Sequence, residues 1–341
     1  MLNFPFVSLF IFILFFSSLF SLSSMHWFGV WLGLELNLIS FIPLMVQFGK
    51  TEEIESATKY FLTQAAASAM LLFSSLIMFW KEGNWELMSN SSLISSNMIL
   101  FSLLMKLGAA PFHFWVPSVV SGLSWSMNSL LLTWQKVIPL LSISVFFSID
   151  KEILLLLIFL SSMIGGIGGL NQTSIRSLMA YSSILHLGWM MAASIISTEV
   201  CCMYFFIYSF ILISTFSKMM IQETKSSSQF FNILMWKNFS RVYLFSMIMS
   251  MGGMPPMLGF FGKWMILTSL VMSKMYLMSC FLILGSMISL YYYLNLSFSI
   301  IMSYEMGWKT TFSSKVEMYL VSMLSMNFSG LLLMFYFNSY M

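Results

Sequence analysis

Charge is what this chain has least of. Of its 341 residues only 27 are ionised at neutral pH, 15 Lys and Arg against 12 Asp and Glu, or 8% of the sequence. An ordinary globular domain carries about 25%. That is too little to solvate a body of 39.1 kDa with a mean hydropathy of +0.89, so a water-soluble fold is excluded. Cysteine is scarce too: Cys201 and Cys202 are adjacent, Cys280 stands apart, and no C-x-x-C spacing occurs. Disulfides, zinc and iron–sulfur clusters therefore lack support, and the three thiols read as small apolar filler. Basic runs are missing as well. The net charge is +3 and its residues are scattered singly, which excludes a nucleic-acid stripe or a polybasic membrane anchor. Residues 1–22 contain no Lys or Arg, so they resemble neither a secretory signal nor an Arg-rich presequence and are expected to form a first span. The run Gly165-Gly166-Ile167-Gly168-Gly169 lacks the third glycine of a phosphate loop, and close helix packing is the expectation there.

What the chain does have is hydrophobic residues, 59% of the total, in runs long enough to cross about 30 Å of hydrocarbon. The runs are too long for the alternating strands of a membrane barrel, so the fold class is an all-α polytopic membrane protein. Window hydropathy places about eleven spans in a single membrane domain, 1–341: approximately 4–22, 25–48, 57–80, 93–117, 126–147, 151–170, 175–196, 199–221, 241–272, 275–298 and 318–338. An odd number puts the termini on opposite sides. With the N-terminus inside, that side collects Lys50, Lys59, Arg176, Lys225, Lys237, Arg241, Lys309 and Lys315, while the other holds Lys81, Lys151 and Lys274. Eight against three fits an N-inside topology.

Two spans are over-long and carry helix breakers near their middles: Lys106-Leu-Gly108-Ala-Ala-Pro111-Phe-His113 in the fourth, and Gly252-Gly253-Met-Pro255-Pro256 in the ninth. Proline removes a backbone donor and frees carbonyls that lipid cannot satisfy, so both breaks must face a wet interior. Gly108 and Gly252 are 144 residues apart, and the same offset carries the start of the first span to the start of the sixth. Two five-span repeats, 4–147 and 151–298, each with a broken fourth member, are expected, followed by a last helix at 318–338. Paired interrupted helices mark an ion pathway.

Four ionisable residues, Glu35, Lys106, Lys136 and Lys263, lie deep inside spans, about 14–20 Å from a span end at about 1.5 Å per residue. Exposed to lipid they would cost about 10–14 kcal/mol together, so they must face one another or water. A lone Glu–Lys pair could serve only to hold helix register, but three lysines against one glutamate cannot all be neutralised. An amine held away from water without a full-time counter-ion can lose and regain its proton near neutral pH, which is the chemistry of a relay. Glu35 is expected to set the affinity of Lys106, Lys106 to pass a proton to Lys136, and Lys263 to be the exit station. His113 beside the first break either relays protons or caps freed carbonyls. His186 either bridges two halves of a wet axis or bonds to a serine. Lys218 is expected to snorkel to the interface.

Segments in order along the chain carry a resemblance: Trp31-Leu-Gly-Leu-Glu35-Leu-Asn37, Lys59-Tyr-Phe-Leu-Thr-Gln64, Met105-Lys106-Leu-Gly-Ala-Ala-Pro111-Phe-His113-Phe-Trp115-Val-Pro117, Trp134-Gln135-Lys136, Asn171-Gln172, Tyr181-Ser-Ser-Ile-Leu-His186-Leu-Gly188-Trp189 and Gly259-Phe-Phe-Gly-Lys263-Trp264. Together they resemble the mitochondrial NADH dehydrogenase subunit 2 family, one of the antiporter-like membrane subunits of respiratory complex I. The resemblance implies two inverted five-helix repeats, with Glu35, Lys106, Lys136 and Lys263 as the family's relay positions and His113 and His186 as possible members. It also implies that this chain binds no cofactor itself. The complex would use NADH, FMN, iron–sulfur clusters and ubiquinone. Its partners would be other complex I subunits, including neighbouring antiporter-like ones, together with membrane lipids and no nucleic acid. The location implied is the mitochondrial inner membrane, N-terminus on the matrix side and C-terminus on the intermembrane side. Thirty-four methionines and the missing presequence suit an organelle gene product. Ser118 stands where the family often has an acid, which removes a carboxylate from that loop. A stand-alone cation/proton antiporter and a non-conducting scaffold are the competing readings. The first would need more intramembrane acids than Glu35.

Overall fold

A computed structural model of the chain describes residues 6–47, 49–83, 86, 93–145, 151–222, 238–302 and 315–330. Residues 4–5, 48, 146–147 and 331–338 of the expected spans, and Lys225, Lys237 and Lys309 of the charge bias, lie outside the described residues. The described residues form helices joined by short turns, with one isolated bridge between His26 and Glu86 and no strand.

Two compact units divide the chain, Met1–Ser161 and Ser162–Met341. The first contains α1 (Val7–Ser23), α2 (Trp27–Met45), α3 (Thr51–Glu82), α4 (Leu93–Leu107), α5 (Trp115–Gly122), α6 (Trp125–Leu132) and α7 (Trp134–Val145). Helix α8 (Lys151–Leu170) carries the chain into the second, with α9 (Ile175–Ile196), α10 (Thr198–Gln222), α11 (Asn238–Gly252), α12 (Leu258–Met272), α13 (Tyr276–Met302) and α14 (Lys315–Phe328). Six of these helices are continuous, long and apolar enough to cross a bilayer. Among the described residues three of the expected spans are interrupted: α4/α5 and α11/α12 at the anticipated breaks, and α6/α7 at Thr133. The third interruption has no proline or glycine to announce it. Thr133, at φ −111° and ψ −74°, lies off the ideal helical values of about −63° and −42°, and its hydroxyl bonds back to the Ser129 carbonyl at 2.6 Å.

Local chemistry explains the regular parts. Helix α3 begins with Glu52 and Glu53 and ends with Lys81, each charge opposing the end of the helix dipole it meets. Gly83 closes it in the left-handed conformation, φ 72°, donating to the Phe79 carbonyl at 2.8 Å. One turn into it, Lys59 donates to Glu55 at 2.6 Å, and that hydrogen bond holds the Glu55 carboxyl below the usual carboxylate range. The many serines inside helices satisfy themselves. Ser17 donates to the Leu14 carbonyl at 2.9 Å and Ser183 to the Ala180 carbonyl at 2.7 Å, a closure that needs no water.

Within the first unit α3 packs on α2, α4 and α5, and α7 packs on α1, α4 and α6. Within the second, α12 packs on α9, α10, α11, α13 and α14. Close approach in the second unit rests on the glycine run of α8. A Cβ on Gly165 would stand 2.5 Å from the Leu185 nitrogen, and one on Gly168 would stand 2.4 Å from the Tyr181 ring. These glycines are helix-packing positions, as expected, and a larger side chain at Gly168 would have to displace the Tyr181 ring. Gly168→Val should therefore lower the stability of the protein by about 1–3 kcal/mol through overpacking. Thermal unfolding of the purified assembly is the check, and an unchanged midpoint would count against this packing.

Candidate functional site

Both anticipated breaks have the same construction. At the end of α4, Gly108 donates to Leu104 at 2.9 Å and Ala109 donates to Leu104 at 3.1 Å; at the end of α11, Gly253 donates to Met249 at 3.1 Å and Met254 donates to Met249 at 3.2 Å. Gly108 and Gly253 are left-handed, at φ 70° and φ 80°, and each is followed by a cis prolyl bond, Ala110–Pro111 and Pro255–Pro256. Matching residues are thus 145 apart. The offset of 144 drawn from Gly252 is one short, because the turn glycine of the second break is Gly253. At 145 Glu35 falls on Ala180, Lys136 on Phe281 and Lys263 on Ser118, so the Glu and Lys positions of one half still have no counterpart in the other.

A half-helix that ends inside the protein leaves carbonyls without donors, and a side chain from beyond each break supplies one. The Trp115 indole donates to the Met105 carbonyl at 3.0 Å. Lys263 Nζ donates to the Gly252 carbonyl at 2.8 Å. A cation at a helix C-terminus also gains from the dipole, and Lys106, in the last turn of α4, occupies the same kind of position. The Lys263 side chain crosses Gly253 so closely that a Cβ there would lie 3.0 Å from its Nζ.

In the first unit Lys106 of α4 and Lys136 of α7, respectively 7% and 3% exposed, line one cavity with Asn37, Tyr60, Gln64 and Gln135. Its volume is about 20 Å³, room for a single water molecule. Uncharged polar side chains connect across it. The Tyr60 hydroxyl donates to Gln135 Oε1 at 3.5 Å, Gln135 Nε2 donates to Asn37 Oδ1 at 2.9 Å, and Gln64 Nε2 donates to the Lys106 carbonyl at 3.4 Å. Pro139, which also lines the cavity, leaves the Gln135 carbonyl without its usual donor four residues on.

Glu35, in α2, is half-buried and does not line the cavity. His113 is buried, and its Nδ1 lies 3.1 Å from the Pro111 carbonyl, with its ring 4.2 Å from that of Phe114. That contact meets a backbone carbonyl beside the first break. His186 on α9 meets Tyr204 on α10, Nδ1 to hydroxyl at 2.8 Å, and Tyr208 packs on its ring at 5.1 Å. Tyr204, a phenol one helix away, is a partner that residue order did not suggest. Lys218, expected to snorkel, is buried at 6% exposure.

The structure therefore brings Lys106 and Lys136 to one polar cavity, leaves Glu35 out of its lining, and holds Lys263 at the second break. Asn37, Tyr60, Gln64 and Gln135 had no role in the sequence reading. Their signal was present: uncharged amides and a phenol at the depth of the buried charges, where lipid would leave them unsatisfied.

Interrupted helices capped by side chains, together with buried lysines in a helical membrane fold, define the class of antiporter-like membrane proteins. The NADH:quinone oxidoreductase/Mrp antiporter transmembrane family model matches residues 24–289, and the chain belongs to this family. NADH-ubiquinone oxidoreductase chain 2 of Anopheles gambiae is 42% identical over 318 residues, 91% of each chain. The same-named protein of Suncus etruscus is 39% identical over 281 residues, 82% of this chain and 80% of that one. A chain of respiratory complex I from Thermus thermophilus has the same fold, with a TM-score of 0.86 at 22% identity, covering 96% of this chain and 78% of the other.

Gly253→Ala should strain the left-handed turn by about 1 kcal/mol and push the Lys263 amine off the Gly252 carbonyl. A map of the variant should show that hydrogen bond broken; an amine still within bonding distance would contradict the close fit.

Proposed function

We propose that this chain is a proton-translocating membrane-arm subunit of respiratory complex I in the mitochondrial inner membrane, part of NADH:ubiquinone reductase, with no redox chemistry of its own. NADH, FMN, iron–sulfur clusters and ubiquinone belong to other subunits of that assembly, whose partners include neighbouring antiporter-like chains. The N-terminus lies on the matrix side and the C-terminus on the intermembrane side, on the strength of the eight-to-three distribution of basic residues. The two halves, 4–147 and 151–298, act as inverted repeats of five spans, with 318–338 as the closing helix.

The observation that carries this reading is the pair of buried lysines on one cavity. Two ammonium groups facing a space the size of one water repel each other, so a proton on one disfavours a proton on the other. Such a pair passes a single proton rather than storing two. Glu35, on α2 two residues before Asn37, biases which amine holds it. Lys263 holds its proton against the Gly252 carbonyl at the C-terminus of α11, a station from which release requires breaking a 2.8 Å hydrogen bond. His113 is committed to a backbone carbonyl and serves the break; His186, bonded to the Tyr204 hydroxyl, keeps a partner that can exchange protons. Moving one proton against a potential on the order of 150 mV takes about 3.5 kcal/mol, within reach of one charge contact made or broken in a low-dielectric interior.

A stand-alone sodium/proton antiporter would need a cage of carboxylates, and Glu35 supplies one. A scaffold reading makes the lysines register markers. Lys106→Met and Lys263→Met, each in the assembled complex, separate these readings. Proton uptake driven by NADH oxidation should fall to near background while the complex remains assembled. Wild-type proton-to-electron stoichiometry in both variants would end the relay reading.

A further inference from the structure

The cavity between Lys106 and Lys136 contains one feature that the relay does not by itself explain. Asn37 is 1% exposed and lines the cavity, and its Nδ2 has no hydrogen-bond partner among the described residues. A buried amide donor left unpaired costs about 1–3 kcal/mol, so it has a partner in the working protein or a reason to be tolerated. The rest of its amide is fixed. Its Oδ1 accepts from Gln135 Nε2 at 2.9 Å, and Gln135 Oε1 in turn accepts from the Tyr60 hydroxyl at 3.5 Å. The three side chains come from α2, α7 and α3, and they form a file in which each donor points toward the next acceptor. The last donor, Asn37 Nδ2, belongs to a side chain that lines the space both lysines share.

We propose that Asn37, held by Gln135 and Tyr60, is a positioning residue that orients one water molecule between Lys106 and Lys136, donating to one of its lone pairs and leaving the other for proton exchange. The inference rests on the relay reading given above. In the step, an N–H bond of the Lys106 ammonium breaks as its proton forms a new O–H bond on the water, and one of the water's original O–H bonds breaks as that proton forms an N–H bond on the neutral Lys136 amine. Water is unchanged at the end, one amine has lost a proton, and the other has gained it. The Asn37 hydrogen bond persists throughout and stops the water from turning its two lone pairs away from Lys106. An amide suits this task because, unlike a carboxylate, it neither pairs permanently with an ammonium nor titrates in the working range.

The test uses the assembled complex in proteoliposomes, comparing wild type with Asn37→Leu, Asn37→Asp, Tyr60→Phe and Lys106→Met. The wild-type map should show one water density at about 2.7–3.2 Å from Asn37 Nδ2. NADH-driven proton uptake per assembled complex should fall about five- to tenfold in Asn37→Leu, the effect of one lost orienting hydrogen bond, with the density gone. Asn37→Asp should also slow uptake, by pairing with an ammonium, whereas Tyr60→Phe, at the far end of the file, should slow it less. A merely structural role would reduce the amount of complex assembled and leave uptake per complex and its pH profile untouched; that result overturns the proposal. If Asn37→Leu does not assemble, the wild-type density and Asn37→Asp decide, and a cavity without density overturns it. Normal uptake in Lys106→Met would instead sink the relay reading itself, while a silent Lys106→Met beside a wild-type Asn37→Leu would sink the positioning role alone.

Discussion

No backbone group can go unpaired in hydrocarbon, and that constraint organises this protein. A continuous helix obeys it alone; a broken one obeys it only where side chains or water stand in for the missing partners. The ends of α4 and α11 are such places. Trp115 covers the Met105 carbonyl, Lys263 covers the Gly252 carbonyl, and His113 sits on the Pro111 carbonyl. Each repair places a polar or charged group inside a body that is otherwise apolar, so the breaks and the buried charges are one device seen from two sides.

The same reasoning separates the two lysines of the first unit from the one in the second. Lys106 and Lys136 share a small space walled by amides and a phenol. Lys263 has a carbonyl and a helix terminus to itself. A shared cavity and a lone helix-terminus contact are different arrangements, and at the 145-residue offset the Glu and Lys positions of one half have no counterpart in the other.

Much of the anatomy was legible from residue order. Span boundaries followed from hydropathy because lipid tolerates so little charge, and α9 falls at 175–196 as read. Both proline breaks were visible because proline and glycine act locally. The break at Thr133 was not, since it depends on a threonine hydroxyl bonding back to Ser129, a choice that threonine in an unbroken helix can also make. The one-residue error in the repeat offset had a similar origin: Gly252 and Gly253 are equivalent on paper, and only backbone geometry shows which one turns. In the site, Lys106, Lys136 and Lys263 stood out because isolated charges are costly in lipid. Asn37, Gln64 and Gln135 did not, because an amide inside a span is inexpensive when partnered, and its partners lie on other helices. His186 hid its phenol partner for the same reason. Its nearest polar neighbours in sequence are serines, but its partner in space is Tyr204.

The most direct test of whether the breaks are wet is hydrogen–deuterium exchange on the assembled complex in lipid, read for peptides covering residues 108–114 and 253–257 against those covering 99–104 and 245–249. The account predicts exchange at the two breaks at least about tenfold faster than in the flanking half-helices at the same depth. Equal and strong protection at breaks and flanks would mean that the interruptions are dry, and would contradict it.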